Sequence, residues 1–172
     1  LNEALVQKAY IFAKTGHGNQ KRHSGDPYFS HPLAVAEILI DLKLDQSSII
    51  AGLLHDVVED TEITIEEIEK TFGEEIAKLV DAMEKGHDVV NTYRMDRQDS
   101  WWRLKVSKWH NQLREWMMPK LVMRDEGCML RAYSRDIVDL MAATGETSTF
   151  IPALALTYSS NPTEVGVKHA ER

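Results

Sequence analysis

Through residues 1–82, apolar side chains recur at helical spacing in five short runs, each bounded by capping or breaking residues. A chain punctuated this way has room for little but a bundle of short helices. Leu5, Ala9, Ile11, Phe12 and Ala13 form the first apolar face, and Gly16-His17-Gly18-Asn19 ends it. A polar loop from Gln20 to Tyr28 follows, with a Ser24-Gly25-Asp26-Pro27 turn. Pro32 sits just inside a second helix start, continued by Leu33, Val35, Ala36, Leu39 and Ile40. Asp45 is the expected N-cap of a third helix, running through Ile49, Ile50, Leu53 and Leu54 towards Val57. Thr64 and Glu67 have capping-box spacing for a fourth, which stops at Phe72-Gly73. A fifth begins near Glu74 and carries Ile76, Leu79, Val80 and Met83.

The second half reads differently. Trp102, Trp109 and Trp116 recur every seven residues with Val106 and Leu113 between them, which predicts an amphipathic helix over about 100–118. Its aromatic stripe either packs on the core or offers a face for a helical partner or self-association. Ile137 to Met141 predicts another helix, and the tail from Phe150, with Pro152, Ser159-Ser160-Asn161 and Pro162, reads as loop or frayed terminus. The expected class is therefore all-α. Residues 1–82 form one unit, and 83–172 are a helical continuation with a poorly ordered tail from about 150.

Charge narrows the function classes. Twenty Lys and Arg face 27 Asp and Glu, a net of -7. Residues 1–82 hold 7 against 15, a net of -8, and the remainder is nearly neutral. Phosphate backbones are bound by clustered cations, so binding DNA is not the expected role. A phosphorylated small molecule stays open, because a local basic loop or a metal ion reverses the sign. The single Cys128 precludes an internal disulfide and reads as a small buried hydrophobe. No run of 18 apolar residues and no signal-peptide pattern is visible, so neither a membrane role nor export is expected, and the cytoplasm is the expected compartment.

The chemistry concentrates in Leu53-Leu54-His55-Asp56-Val57-Val58-Glu59-Asp60-Thr61. His55 and Glu59 are four apart, and Asp56 and Asp60 repeat that spacing. Alone, the cluster fits either a solvated helix end or a metal site. His31, 24 residues before His55 and next to Pro32, adds a second imidazole and gives the order H…HD. Mixed imidazole and carboxylate donors suit Mn²⁺, Fe²⁺ or Zn²⁺ better than Mg²⁺ or Ca²⁺.

Two stretches together are specific. Arg22-His23-Ser24-Gly25-Asp26-Pro27-Tyr28-Phe29-Ser30-His31-Pro32 and Gly52-Leu53-Leu54-His55-Asp56-Val57-Val58-Glu59-Asp60-Thr61 resemble the hydrolase domain of the Rel/SpoT alarmone enzymes, and Phe72 to Asp81 is similar to that family's next helices. The resemblance covers about residues 1–82. It implies an HD-type helical bundle that removes the 3′-pyrophosphate of (p)ppGpp, giving GDP or GTP and pyrophosphate. It further implies Mn²⁺ held by His31, His55 and Asp56, with Glu59 and Asp60 acting on the attacking water. Arg22, His23, Ser24 and Tyr28 would contact the guanine nucleotide, with His23 standing where Lys is frequent.

After Ala82 the resemblance stops. The family's fourth ligand, an Asp ahead of a His-Asn pair, has two imperfect counterparts. Ser107-Lys108-Trp109-His110-Asn111 keeps His-Asn but has Ser at the ligand position, whereas Asp125 offers a carboxylate in a poor copy of the motif. Two alternatives therefore accompany the alarmone hydrolase: an HD-class hydrolase of another nucleotide, and a catalytically silent or truncated domain. Nothing in the chain resembles the family's separate synthetase domain, so alarmone synthesis is not expected.

Overall fold

The computed structural model describes residues 2–95, 105, 125, 128–144 and 151–168. Six helices follow one another at the start: α1 Glu3–His17, α2 Ser30–Asp41, α3 Gln46–Leu54, α4 Val57–Asp60, α5 Ile65–Phe72 and α6 Glu74–Glu84. The local signals are met where they were expected. The Asp45 side chain accepts from the backbone N–H groups of Ser47 at 2.9 Å and Ser48 at 3.2 Å, satisfying donors that the first turn leaves unpaired. The Thr64–Glu67 capping box is complete in both directions. Gly73, at φ +98°, both ends α5 and opens α6, a conformation that other residues adopt only with strain.

α3 is the hub of the helical part. Every residue from Ser48 to Leu54 is buried, as expected of a helix that is apolar around its whole circumference. Its Ile50 and Leu54 pack in one cluster with Ala9 and Ala13 of α1, Val35 and Leu39 of α2, Ile68 of α5 and Val80 of α6. Burying each Leu or Ile contributes about 1.5–3 kcal/mol. Gly52 sets how closely α2 approaches, since a Cβ there would lie 2.6 Å from Leu39 Cδ1 and 3.4 Å from Val35 Cγ1.

The all-α expectation needs correction. Three strands, β1 Val89–Arg94, β2 Arg131–Tyr133 and β3 Pro162–Val167, form a sheet of order β2-β1-β3. β1 runs antiparallel to β2, with Val89 opposite Tyr133 and Asn91 opposite Arg131. It runs parallel to β3, from Val89 with Pro162 to Arg94 with Val167. The residues of β1, Val-Val-Asn-Thr-Tyr-Arg, favour strand, but the first four are all buried. A central strand covered on both faces lacks the apolar–polar alternation that marks a strand in sequence. Val89 joins the main helical core, while Val90 packs with Leu79, Ala82, Cys128 and Ala132 in a second cluster.

The tail is likewise corrected. α7 Arg135–Thr144 covers the helix expected around Ile137 to Met141, but α8 Ile151–Tyr158 and β3 stand where loop or fraying was expected. Pro152 falls in the first turn of α8, and Pro162 opens an edge strand, both positions where a missing N–H is tolerated. The connection between them is anchored by Asp88. Its carboxylate accepts from Ser159 Oγ, from Ser160 N and Oγ at 2.6 and 3.0 Å, and from Asn161 N at 3.0 Å. Cys128 is buried, as expected. Thr92 Oγ1 donates to the Leu130 carbonyl at 2.8 Å, so at the 2.8 Å Thr92–Cys128 contact the thiol is the donor. The Trp102–Trp116 stripe and the Ser107–Asn111 candidate lie outside the described residues. Among the described residues no helix is long and apolar enough to cross a membrane.

Candidate metal centre

α3 does not continue to Val57 as the spacing predicts. It stops at Leu54, passes through His55 and Asp56, and α4 starts at Val57. At this break His55 Nδ1 lies 2.8 Å from the carbonyl oxygen of Gly52, one of the last carbonyls of α3. A carbonyl only accepts, so Nδ1 carries a proton there, and Nε2 is the nitrogen turned towards Asp56. His31 comes from the first turn of α2, whose start is fixed by Ser30 Oγ donating to the Pro27 carbonyl at 2.7 Å and His31 N donating to the Tyr28 carbonyl at 3.0 Å.

Two separate elements thereby deliver three donors to one place. His55 Nε2 lies 2.9 Å from Asp56 Oδ1, and His31 Nε2 lies 3.4 Å from Asp56 Oδ2. One ligand atom from each of His31, His55 and Asp56 falls within 4.8 Å of the others, and all three residues are half-buried. Donors about 2.0–2.2 Å from one ion stand roughly 3–3.5 Å apart, and the two imidazole–Asp56 contacts fall near that spacing. An imidazole whose Nδ1–H is committed to a carbonyl is oriented as metal-binding histidines usually are. The set fits a divalent cation of the Mn²⁺, Fe²⁺ or Zn²⁺ type.

Electrostatics agree with a charged carboxylate between two rings. Burial pushes the Asp56 carboxyl up, but hydrogen bonding and charge from His55, then His31, outweigh it and hold it below the usual range. For His55 burial acts downward, yet the Asp56 hydrogen bond and charge raise its pKa above the ordinary imidazole value. Burial dominates at His31 and lowers it, against the pull of Asp56. A half-buried carboxylate flanked by imidazole nitrogens is a cation-seeking arrangement.

The loop before α2 runs near these donors. Lys21 bridges to Pro27, Arg22 N donates to Asp26 O at 2.9 Å, and Gly25, at φ +91°, makes the turn. Ser24 Oγ donates to Asp26 Oδ2 at 2.8 Å. Arg22, His23 and Ser24 are exposed at this tip, whereas Tyr28 is half-buried nearer the metal donors. Burial first, then a hydrogen bond to the Asp60 carboxylate and the charges of Asp56 and Asp60, push the Tyr28 hydroxyl well above its usual range, with Arg22 opposing. Arg22, Tyr28, Asp56 and Asp60 thus share one electrostatic neighbourhood.

The remaining expected residues divide. Asp60 is half-buried on Tyr28, but Glu59 is exposed, so the break after α3 does not gather the whole acidic run at the centre. Asp125 is not among the grouped donors. Its buried carboxylate is paired with Arg94, at 2.7 Å from Nε to Oδ2 and 3.1 Å from Nη2 to Oδ1. The structure thus gives the Asp125 carboxylate a guanidinium partner that binds both of its oxygens. Among the described residues no other carboxylate joins the three. Sequence reasoning passed over His17 and Gln20, which stand behind Tyr28 and Asp60.

Fold and site together define an HD domain. The chain belongs to the HD domain family, whose family model matches residues 9–119. Among curated proteins it is similar to the GTP pyrophosphokinase rsh of Brucella ovis, 58% identical over 85 residues, and to that of Brucella melitensis biotype 1, 56% identical over the same length. These matches cover 49% of this chain, and the chain spans 11% of the length of those relatives. The kinship with Rel/SpoT-type proteins expected from the two motifs therefore holds. Among solved structures, a metazoan ortholog of SpoT described as hydrolysing ppGpp is 20% identical, with a TM-score of 0.46, covering 92% of this chain and 89% of that one. A protein from Listeria monocytogenes EGD-e is 43% identical over 48% of this chain and 46% of its own, with a TM-score of 0.32.

Proposed function

We propose that the chain is a metal-dependent hydrolase that removes the 3′-pyrophosphate of (p)ppGpp, releasing GDP or GTP and pyrophosphate. The observation that carries this reading is the convergence of His31, His55 and Asp56 beside a loop bearing Arg22 and Tyr28. His31 Nε2, His55 Nε2 and an Asp56 oxygen would hold the ion, with Mn²⁺ the expected occupant. When bound, such an ion lowers the pKa of a coordinated water and neutralises charge developing on a phosphate oxygen.

The protein's own groups divide the remaining work. Among the described residues Arg22 has no ion-pair partner, so its five guanidinium N–H donors are available to a phosphate, or its plane to a guanine base. Tyr28 offers an aromatic face, and its hydroxyl stays protonated at neutral pH, able to donate. Asp60, close enough to act on that hydroxyl, accepts a proton from the attacking water if the water comes within hydrogen-bond reach. Glu59, exposed one residue earlier, tunes the charge at the mouth. His23 and Ser24 complete the substrate loop, where a neutral His23 gives a weaker phosphate contact than lysine.

Incubating the chain with ppGpp and Mn²⁺, and separately with chelator, then quantifying pyrophosphate and GDP, tests this reading. Mn²⁺-dependent stoichiometric release is expected, with dGTP and simple phosphoesters turned over more slowly. Equal turnover of dGTP would favour a hydrolase of another nucleotide. No release from any of these substrates, with metal bound, would leave the silent domain that the Arg94–Asp125 pairing favours.

A further inference from the structure

His17 is the last residue of α1 and only 1% exposed, an unusual place for an imidazole. Its Nδ1 lies 3.0 Å from Gln20 Oε1, and Gln20 Nε2 donates to the backbone carbonyl of Asp60. That carbonyl can only accept, which fixes the amide: the NH₂ end faces Asp60 and the oxygen faces His17. His17 Nδ1 is therefore the protonated nitrogen and donates. Nε2 is buried with no hydrogen-bond partner among the described residues. On its face the His17 ring stacks against Tyr28, with centroids 4.9 Å apart and planes at 23°.

Gln20 is tied at both ends of its own backbone as well. Its N–H donates to the His17 carbonyl at 3.0 Å, and its carbonyl accepts from Tyr28 N at 2.9 Å. Gly18, at φ +51°, reverses the chain so that Gln20 folds back beneath α1. One imidazole thus touches, directly or through a single amide, the ring of Tyr28 and the end of α4. Tyr28 and Asp60 are also electrostatic neighbours, each carboxylate charge nearby acting on the Tyr28 hydroxyl.

We infer that His17 is a positioning residue, whose Nδ1–H acts through the Gln20 amide to hold Asp60 and Tyr28 in register beside the metal donors. This rests on the hydrolase reading for its catalytic consequence, though the hydrogen-bonded relay itself does not. Two variants separate relay from packing. His17→Phe keeps a ring on Tyr28 and loses the donor; His17→Asn loses the ring but offers an amide N–H near Nδ1. If the imidazole merely fills space, Phe is the better replacement. If it is a relay, Asn is.

The experiment measures kcat and KM for Mn²⁺-dependent pyrophosphate release, together with Mn²⁺ affinity by electron paramagnetic resonance. For His17→Phe a fall in kcat of about 10- to 100-fold is expected, with Mn²⁺ affinity unchanged and most of kcat recovered in His17→Asn. Gln20→Leu, at an exposed position, should reproduce the loss without disturbing the core, which covers the case in which a His17 variant fails to fold. A His17→Phe enzyme more active than His17→Asn, or a fully active Gln20→Leu, overturns the inference. Long-range ¹H–¹⁵N spectra of the wild-type chain read the relay without turnover: they should show the Nδ1–H tautomer at His17 and a protected Gln20 side-chain amide. Finding both in a chain that releases no pyrophosphate would defeat the hydrolase reading and leave the relay standing. An Nε2–H tautomer would defeat the relay whatever the activity.

Discussion

The helix caps of residues 2–84 are built from neighbours in sequence, whereas the strands and the turn before β3 are tied by bonds that cross much of the chain. Asp45 caps residues two and three positions on, Thr64 and Glu67 cap each other, and His55 bonds Gly52. Beyond Glu84 the partners are distant: Asp88 with Ser160 and Asn161, Arg94 with Asp125, Thr92 with Leu130. Local satisfaction leaves the centre of the helical part free to present His31, His55 and Asp56 to a ligand. Distant bonds commit Asp88, Arg94 and Asp125 to holding the fold. On the proposed reading the first part carries the chemistry, and the second packs against α3 and α6.

The largest expected effect separates these roles. Asp56→Asn should lower metal-dependent turnover by at least about 100-fold, because a ligand oxygen becomes an amide, while far-UV circular dichroism stays near wild type. Undiminished activity in this variant would reduce His55-Asp56 to a helix-end feature.

Asp125→Asn should do the reverse. It leaves the half-buried Arg94 guanidinium beside a neutral amide, and a loss of about 1.5–3 kcal/mol in unfolding free energy is expected from denaturant titration. Mn²⁺ affinity should not change. A drop in affinity with stability intact would restore Asp125 as a ligand and erase the distinction between the two parts.

Those two regions also differ in how much of them the sequence discloses. Helix caps, breakers and 3.6-residue periodicity act over a few positions, so α1, α2, α3, α5 and α6 were legible, as was the H…HD order that brings three donors together. The break at His55 was not, because a side-chain-to-carbonyl bond replaces no residue type that marks a helix end. β1 was missed because burial on both faces removes its alternation, and β3 because its strand character depends on a parallel partner some 70 residues away. Asp125 could be read only as a carboxylate in search of a role, since Arg94 becomes its neighbour only in the folded chain. His17 looked like a helix terminator, and nothing local shows that Gln20 turns back beneath it.

A smaller effect tests the packing that supports the site. An exposed helical Gly→Ala change usually stabilises by up to about 1 kcal/mol. Gly52→Ala should instead destabilise by roughly 1–2 kcal/mol, since its Cβ meets the fully buried Leu39, and should weaken metal binding by shifting His55. A stabilised Gly52→Ala chain would show that α2 and α3 have slack.

The smallest effect concerns the second part and pH. Burial pushes the Asp88 carboxyl up, but hydrogen bonds from Ser159, Ser160 and Asn161 outweigh it and hold its pKa below the usual carboxylate value. A group depressed in the folded state binds fewer protons there than in the unfolded chain. Its contribution is present in full above the unfolded pKa and is lost as pH falls through the folded one. Thermal melts from neutral to acid pH should therefore decline less steeply in Asp88→Asn than in wild type, from a lower starting Tm. Parallel declines would mean that the Ser159–Asn161 contacts do not depend on the charge.

The most direct test of the central claim, that His31, His55 and Asp56 together form one divalent-cation site, is Mn²⁺ titration of the intact chain followed by electron paramagnetic resonance. One bound ion per chain is expected, lost in His55→Ala and in His31→Ala, each with its helical circular dichroism retained. Stoichiometric binding that survives removal of both imidazoles, or no binding by the wild-type chain, would contradict it.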